Sequence, residues 1–105
     1  MEVVYLLKQI NLNKELLEEI IDICKRHAEI EKVVLFGSRA RGDNSPKSDI
    51  DLAIYANSNF SDFIEDMENN TRTLLEFDFS NMRTVKDEFF IEQVNKEGII
   101  IYEKC

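Results

Sequence analysis

The run Asp49-Ile50-Asp51-Leu52-Ala53-Ile54-Tyr55 carries two carboxylates two residues apart in a stretch that otherwise reads as a buried strand. Strand residues at i and i+2 project from one face, about 6.6 Å apart along the chain (two rises of roughly 3.3 Å). Two carboxylates at that spacing can converge on cations between or beside them. Magnesium takes oxygen ligands and is commonly held by one or two carboxylates plus substrate phosphates. Two such ions about 3.5–4 Å apart stabilise both the attacking and the leaving oxygen of a phosphoryl transfer. Ile50, Leu52 and Ile54 on the alternate face are apolar, so one face suits ligation and the other the core. An isolated Asp-x-Asp is usually a solvated strand face; the neighbouring residues raise this one above that reading.

Ser38 lies eleven residues before Asp49, in Gly37-Ser38-Arg39-Ala40-Arg41-Gly42, which follows the apolar run Lys32-Val33-Val34-Leu35-Phe36. Glycine lets the backbone approach a triphosphate, and N–H groups at a turn or helix start attract anions. The Ser38 hydroxyl adds a hydrogen bond. Arg39 and Arg41 read either as surface charge or as forked contacts to phosphate oxygens. Two other phosphate motifs are excluded. Gly37 and Gly42 have Walker A spacing, but Asp43 and Asn44 stand where Lys and Ser/Thr are required. There is no Gly-x-Gly-x-x-Gly, so a dinucleotide fold has no support.

The elements that must position these residues are legible from periodicity. Leu16, Leu17, Ile20, Ile21, Cys24 and Ala28 follow helical spacing from an Asn13 N-cap to about His27. Residues 1–12 read equally as a short helix or an extended arm. Lys32–Phe36 is a strand, Ser38–Gly42 a turn or short helix, Asp43–Ser48 a loop with the single proline, and Asp49–Tyr55 a second strand. Phe60, Phe63, Ile64 and Met67 mark a short helix capped by Ser58 or Asn59, with Asp62–Glu68 supplying its wet side. Leu74–Ser80 alternates, Leu75, Phe77 and Phe79 on one side, Glu76, Asp78 and Ser80 on the other, as in a strand. Thr84 and Asp87 resemble a capping box opening a helix to about Lys96, with stripe Val85, Phe89, Phe90 and Val94 and a stop at Gly98. Ile99–Tyr102 is a fourth strand. The fold class expected is α/β (α+β): a small mixed four-stranded sheet flanked by helices.

With 105 residues the chain is expected to form one domain, 1–105. Its 21 Asp and Glu outnumber 13 Lys and Arg, a formal net charge of −8 that argues against a broad nucleic-acid surface. No stretch approaches the roughly 20 apolar residues that span a bilayer, and the N-terminus lacks a basic leader. Cys24 and Cys105 have no metal spacing and read as free thiols, so a cytoplasmic location is expected. His27 reads as a cation favourable to its helix C-terminus, with no chemistry assigned.

Together Gly37-Ser38-Arg39-Ala40-Arg41-Gly42 and Ser48-Asp49-Ile50-Asp51-Leu52 resemble the nucleotidyltransferase superfamily of DNA polymerase β, and within it the minimal nucleotidyltransferases. The resemblance covers roughly residues 13–103, including the order of elements, and implies a nucleotidyltransferase fold. It implies that Asp49 and Asp51 hold two Mg²⁺ ions and that a third acid on a later strand completes the site and helps activate the attacking hydroxyl. That acid is assigned to Asp78, with Glu76 as the fallback, because Thr71-Arg72-Thr73-Leu74 replaces the family's small-residue approach to this strand. Gly37, Ser38, Arg39, Arg41 and Ser48 are the candidate nucleotide contacts, with ATP as substrate.

Larger relatives add a domain that binds the acceptor, and this sequence shows none. Single-domain members resemble the antitoxin of a toxin–antitoxin pair whose partner is a HEPN ribonuclease toxin. The implied reaction is transfer of AMP to a toxin tyrosine. Two rivals stand beside it: an antitoxin that neutralises by binding alone, and transfer to a small molecule such as an aminoglycoside. Homodimer and hetero-oligomer are both open.

Overall fold

The computed structural model describes residues 12–104. The arm-or-helix reading of residues 1–12 lies outside the described residues except at Leu12, as does Cys105. The elements are α1 (Lys14–Arg26), β1 (Ile30–Phe36), α2 (Ser38–Arg41), β2 (Ile50–Ala56), α3 (Ser61–Asn70), β3 (Phe77–Asn81), α4 (Glu88–Glu97) and β4 (Ile99–Glu103). The strands form one four-stranded sheet in the order β3-β2-β1-β4. β1 runs antiparallel to β2 and β4, whereas β2 and β3 are parallel and joined through α3. The sheet is therefore mixed, as the element order implied.

Asn13 starts α1 by accepting hydrogen bonds from the N–H groups of Glu15 (2.8 Å) and Leu16 (3.2 Å), a cap worth about 1 kcal/mol. The apolar stripe of α1 buries Leu16, Leu17, Ile20, Ile23 and Cys24. Burial pushes the Cys24 thiol up to about 12, so it is an inert core group. Ile50, Leu52 and Ile54 of β2 join Val33 and Leu35 of β1 beneath α1 and α3, where Phe63 and Met67 are fully enclosed. The opposite face is smaller: Val34, Phe36, Ala53 and Val94, with Phe90 and Met82 packed against them. There α4 rides on β1, and the Phe90 ring meets Phe36 edge-on at 5.3 Å.

Three local expectations are corrected. The third strand begins at Phe77, not Leu74, because β2, its partner among the described residues, offers its first rung at Ile50 opposite Phe77. Leu74 stands fully exposed ahead of it. The cap of α4 is Asp87, whose Oδ1 accepts from Phe89 N–H (3.0 Å) and Phe90 N–H (3.3 Å). Thr84 belongs to the preceding turn, bonded to the Asn81 carbonyl. With the helix starting there, Phe89 leaves the stripe and is 85% exposed. Among the described residues no helix is long and apolar enough to cross a membrane.

Candidate active site

Strand register assembles the site. Phe36, the last residue of β1, pairs with Asp51, and Asp51 pairs in turn with Asp78 across the parallel β2–β3 ladder. Directly opposed residues share a face, so Asp51 and Asp78 sit on the Phe36 face, away from Ile50 and Leu52. Helix α4 packs over β1 on that face. Asp51 is half-buried and Asp78 exposed, an open shelf at the start of β2 and β3. Asp49 is exposed just before β2. The next residue, Ile50, donates its N–H to the Glu76 carbonyl at 2.9 Å. Glu76 itself stands before β3, off the rung that Asp51 and Asp78 share.

The Asp51 carboxyl is raised above the usual carboxylate range, first by burial, then by the negative charges of Asp78 and Asp49; Arg41 opposes the rise. Two neighbouring carboxylates thus oppose the charge of Asp51, the situation that a hard cation relieves. Their donor set is all oxygen, and it fits divalent cations. Among the described residues no three His, Cys, Asp or Glu side chains close into a cage on their own.

Gly37 forms the adjoining turn in the left-handed half of backbone space, φ 77°. A Cβ there would overlap the Asp51 Oδ2 atom, so the glycine is needed for both conformation and space. The short α2 is closed onto this turn, with Ala40 and Arg41 N–H groups each 3.1 Å from the Gly37 carbonyl. Ser38 is half-exposed at its first position.

The two arginines take different environments. Arg41 is exposed and ion-paired to Asp43 (3.1 Å) and Glu97 (3.0 Å). Arg39, read either as surface charge or as a phosphate contact, is only 6% exposed, which removes the surface reading. Its Nε donates to the Ser48 carbonyl (3.1 Å) and its Nη2 to the Pro46 carbonyl (3.3 Å). Sequence spacing held no signal for this, since the contact depends on how the 43–48 loop folds back. The Ser48 hydroxyl is engaged within that loop, accepting from Ser45 N–H at 2.9 Å. A groove of about 490 Å³ near Leu16, Arg39, Pro46 and Leu75 contains none of the three acids.

The profile of the family described as "Polymerase beta, Nucleotidyltransferase" matches residues 18–105. Two Methanocaldococcus jannaschii proteins, each bearing the name "putative protein adenylyltransferase", are similar in sequence. One is 33% identical over 87 residues, covering 74% of this chain and 84% of that protein. The other is 26% identical over 100 residues, covering 90% and 100% respectively. Among solved structures, a toxin–antitoxin complex with AMP-PNP superposes with a TM-score of 0.68 at 21% identity, covering 84% of this chain and 73% of that one. A mutant of the toxin–antitoxin pair MntA-HpeT gives 0.68 at 20% identity, with coverages of 89% and 75%. At these identities the structural likeness speaks for the fold.

Proposed function

This chain belongs to the polymerase beta nucleotidyltransferase family, and from that premise we propose that it transfers AMP from ATP to a hydroxyl on a partner protein. The acceptor is a tyrosine of a HEPN ribonuclease toxin, and the chain acts in the cytoplasm as its antitoxin. The single observation that carries the transfer chemistry is the shared rung of Asp51 and Asp78, with Gly37 pressed against Asp51. The names of the two archaeal relatives and the toxin–antitoxin complexes of like fold support a protein acceptor.

In this reading the Gly37–Ser38 turn binds the triphosphate and Asp49 and Asp51, with Asp78, hold Mg²⁺, which neutralises phosphate charge when bound. Phosphate oxygens of the nucleotide would supply ligands beyond these carboxylates. Asp78 takes the proton of the acceptor hydroxyl. The acceptor oxygen then bonds to the α-phosphorus, the bond from that phosphorus to the β-bridging oxygen breaks, and pyrophosphate departs. Positioning and electrostatic stabilisation supply the rate enhancement.

Intact mass spectrometry of the co-purifying partner, before and after ATP and Mg²⁺, tests this. A gain of whole adenylyl units, absent with Asp49→Asn/Asp51→Asn, is the expected result. A stable complex that silences the partner with no mass gain would make the domain a binder.

A further inference from the structure

The loop between α2 and β2 has no regular structure, and its internal bonds link Ser45 with Ser48. Left to these, the chain before Asp49 would be loosely held. Two ties from outside flank Asp49 instead. On one side Arg39 Nε holds the Ser48 carbonyl at 3.1 Å; on the other the Glu76 carbonyl holds Ile50 N–H at 2.9 Å. The first tie runs to α2, which is closed onto the Gly37 carbonyl. The second runs to the residue two places before Asp78. A guanidinium can grip two carbonyls at once with fixed geometry, as Arg39 does with Ser48 and Pro46, whereas an ammonium acts as a point donor. At 6% exposure the Arg39 side chain is buried, and the groove it borders contains none of the three acids.

We propose that Arg39 is a positioning residue for nucleotidyl transfer: its hold on the Ser48 and Pro46 carbonyls sets where the Asp49 carboxylate stands relative to the Gly37 turn, which rests on the reading of Asp49 as a metal-holding side chain. Arg39 therefore acts on cation binding and turnover, through backbone, without touching the triphosphate.

The test compares Arg39→Met and Arg39→Lys with the wild type and with Asp49→Asn/Asp51→Asn. Mn²⁺ binding to the protein alone is followed by electron paramagnetic resonance, and AMP transfer to the co-purified partner gives kcat and the KM for ATP. Circular dichroism melts report folding. The expected result is Mn²⁺ affinity weakened at least about tenfold and kcat lowered about 10–100-fold in Arg39→Met, as when an outer-shell partner is lost. The KM for ATP should move by less than about threefold, and Arg39→Lys should fall between. If Arg39→Met melts at assay temperature, Arg39→Lys decides by the same split. A rise in the KM for ATP with unchanged Mn²⁺ affinity would mean that Arg39 binds phosphate and would overturn the proposal. So would wild-type Mn²⁺ affinity and kcat in both variants while the double Asp variant is dead. Equal Mn²⁺ binding by the wild type and the double Asp variant would instead sink the metal reading of Asp49, and this inference with it.

Discussion

The backbone of Gly37 lies against the carboxylate of Asp51 so closely that a single methyl group at Gly37 would overlap Oδ2. The contact follows from register, since Gly37 succeeds the residue that pairs with Asp51. Gly37→Ala must therefore displace the acid or the turn. Transfer is expected to fall at least about 100-fold, the scale of a small misplacement in a site. Gly42→Ala is the control. Gly42 also has positive φ, 89°, but open space around its Cα. It should cost about 1 kcal/mol of stability for the left-handed conformation and keep most activity. Equal loss in the two variants would show that conformation, not the Asp51 contact, matters.

Asp51 sits half-buried beside two like charges. Asp51→Asn removes that repulsion, so without divalent cations the variant should melt a few degrees above the wild type while losing transfer. Adding Mg²⁺ should stabilise the wild type more than the variant. A variant that melts lower in chelator would contradict the crowding.

Phe63 is fully buried and meets the rings of His27 (5.7 Å) and Phe79 (6.1 Å) edge-on, joining α3 to α1 and β3. Phe63→Ala should cost about 3–5 kcal/mol in urea unfolding, much of the stability of a domain of this size.

The His27–Asp66 tie gives an acid-sensitive contribution. His27 Nε2 lies 2.8 Å from Asp66 Oδ2, and Asn70 and Arg26 add hydrogen bonds that hold Asp66 down at about 2. A depressed carboxylate contributes stability above its unfolded value, near pH 4, and loses it as pH falls toward the folded value, near 2. Asp66→Asn should thus be roughly 1 kcal/mol less stable at pH 7. That gap should close between about pH 4 and pH 2; a pH-independent gap would rule out the charge as its source.

Phe89 and Phe90 should separate cleanly. Phe90 packs edge-on against Phe36, and Phe89 is exposed. Phe90→Ala should lower stability by about 2–3 kcal/mol, and Phe89→Ser by less than about 0.5 kcal/mol. Denaturant titration of both distinguishes this face from a stripe that buries the two rings alike.

Local pattern was enough to locate the Gly37–Ser38 turn, the strand that carries Asp51 and most of the apolar stripe of α1, because each lies within one element. Asp49, read as part of that strand, stands just before it, and α1 buries Ile23 where the spacing offers Ala28. Strand alternation alone sent Ile50, Leu52 and Ile54 to one face and Asp51 to the other. Capping was less secure: Thr84 reads as opening the box and Asp87 as its partner, but Thr84 is taken by the turn bonded to Asn81 and Asp87 is the cap. What lies between elements was decided only by tertiary structure. Whether Asp78 or Glu76 stands beside Asp51 depends on the β2–β3 register, set by which residue of one strand faces which of the other after α3 intervenes. Arg39 and Arg41 are alike as sequence, two residues apart in a basic pair. One is buried under loop carbonyls and the other ion-paired at the surface, because the fold of the 43–48 loop, not local spacing, determines what each side chain meets.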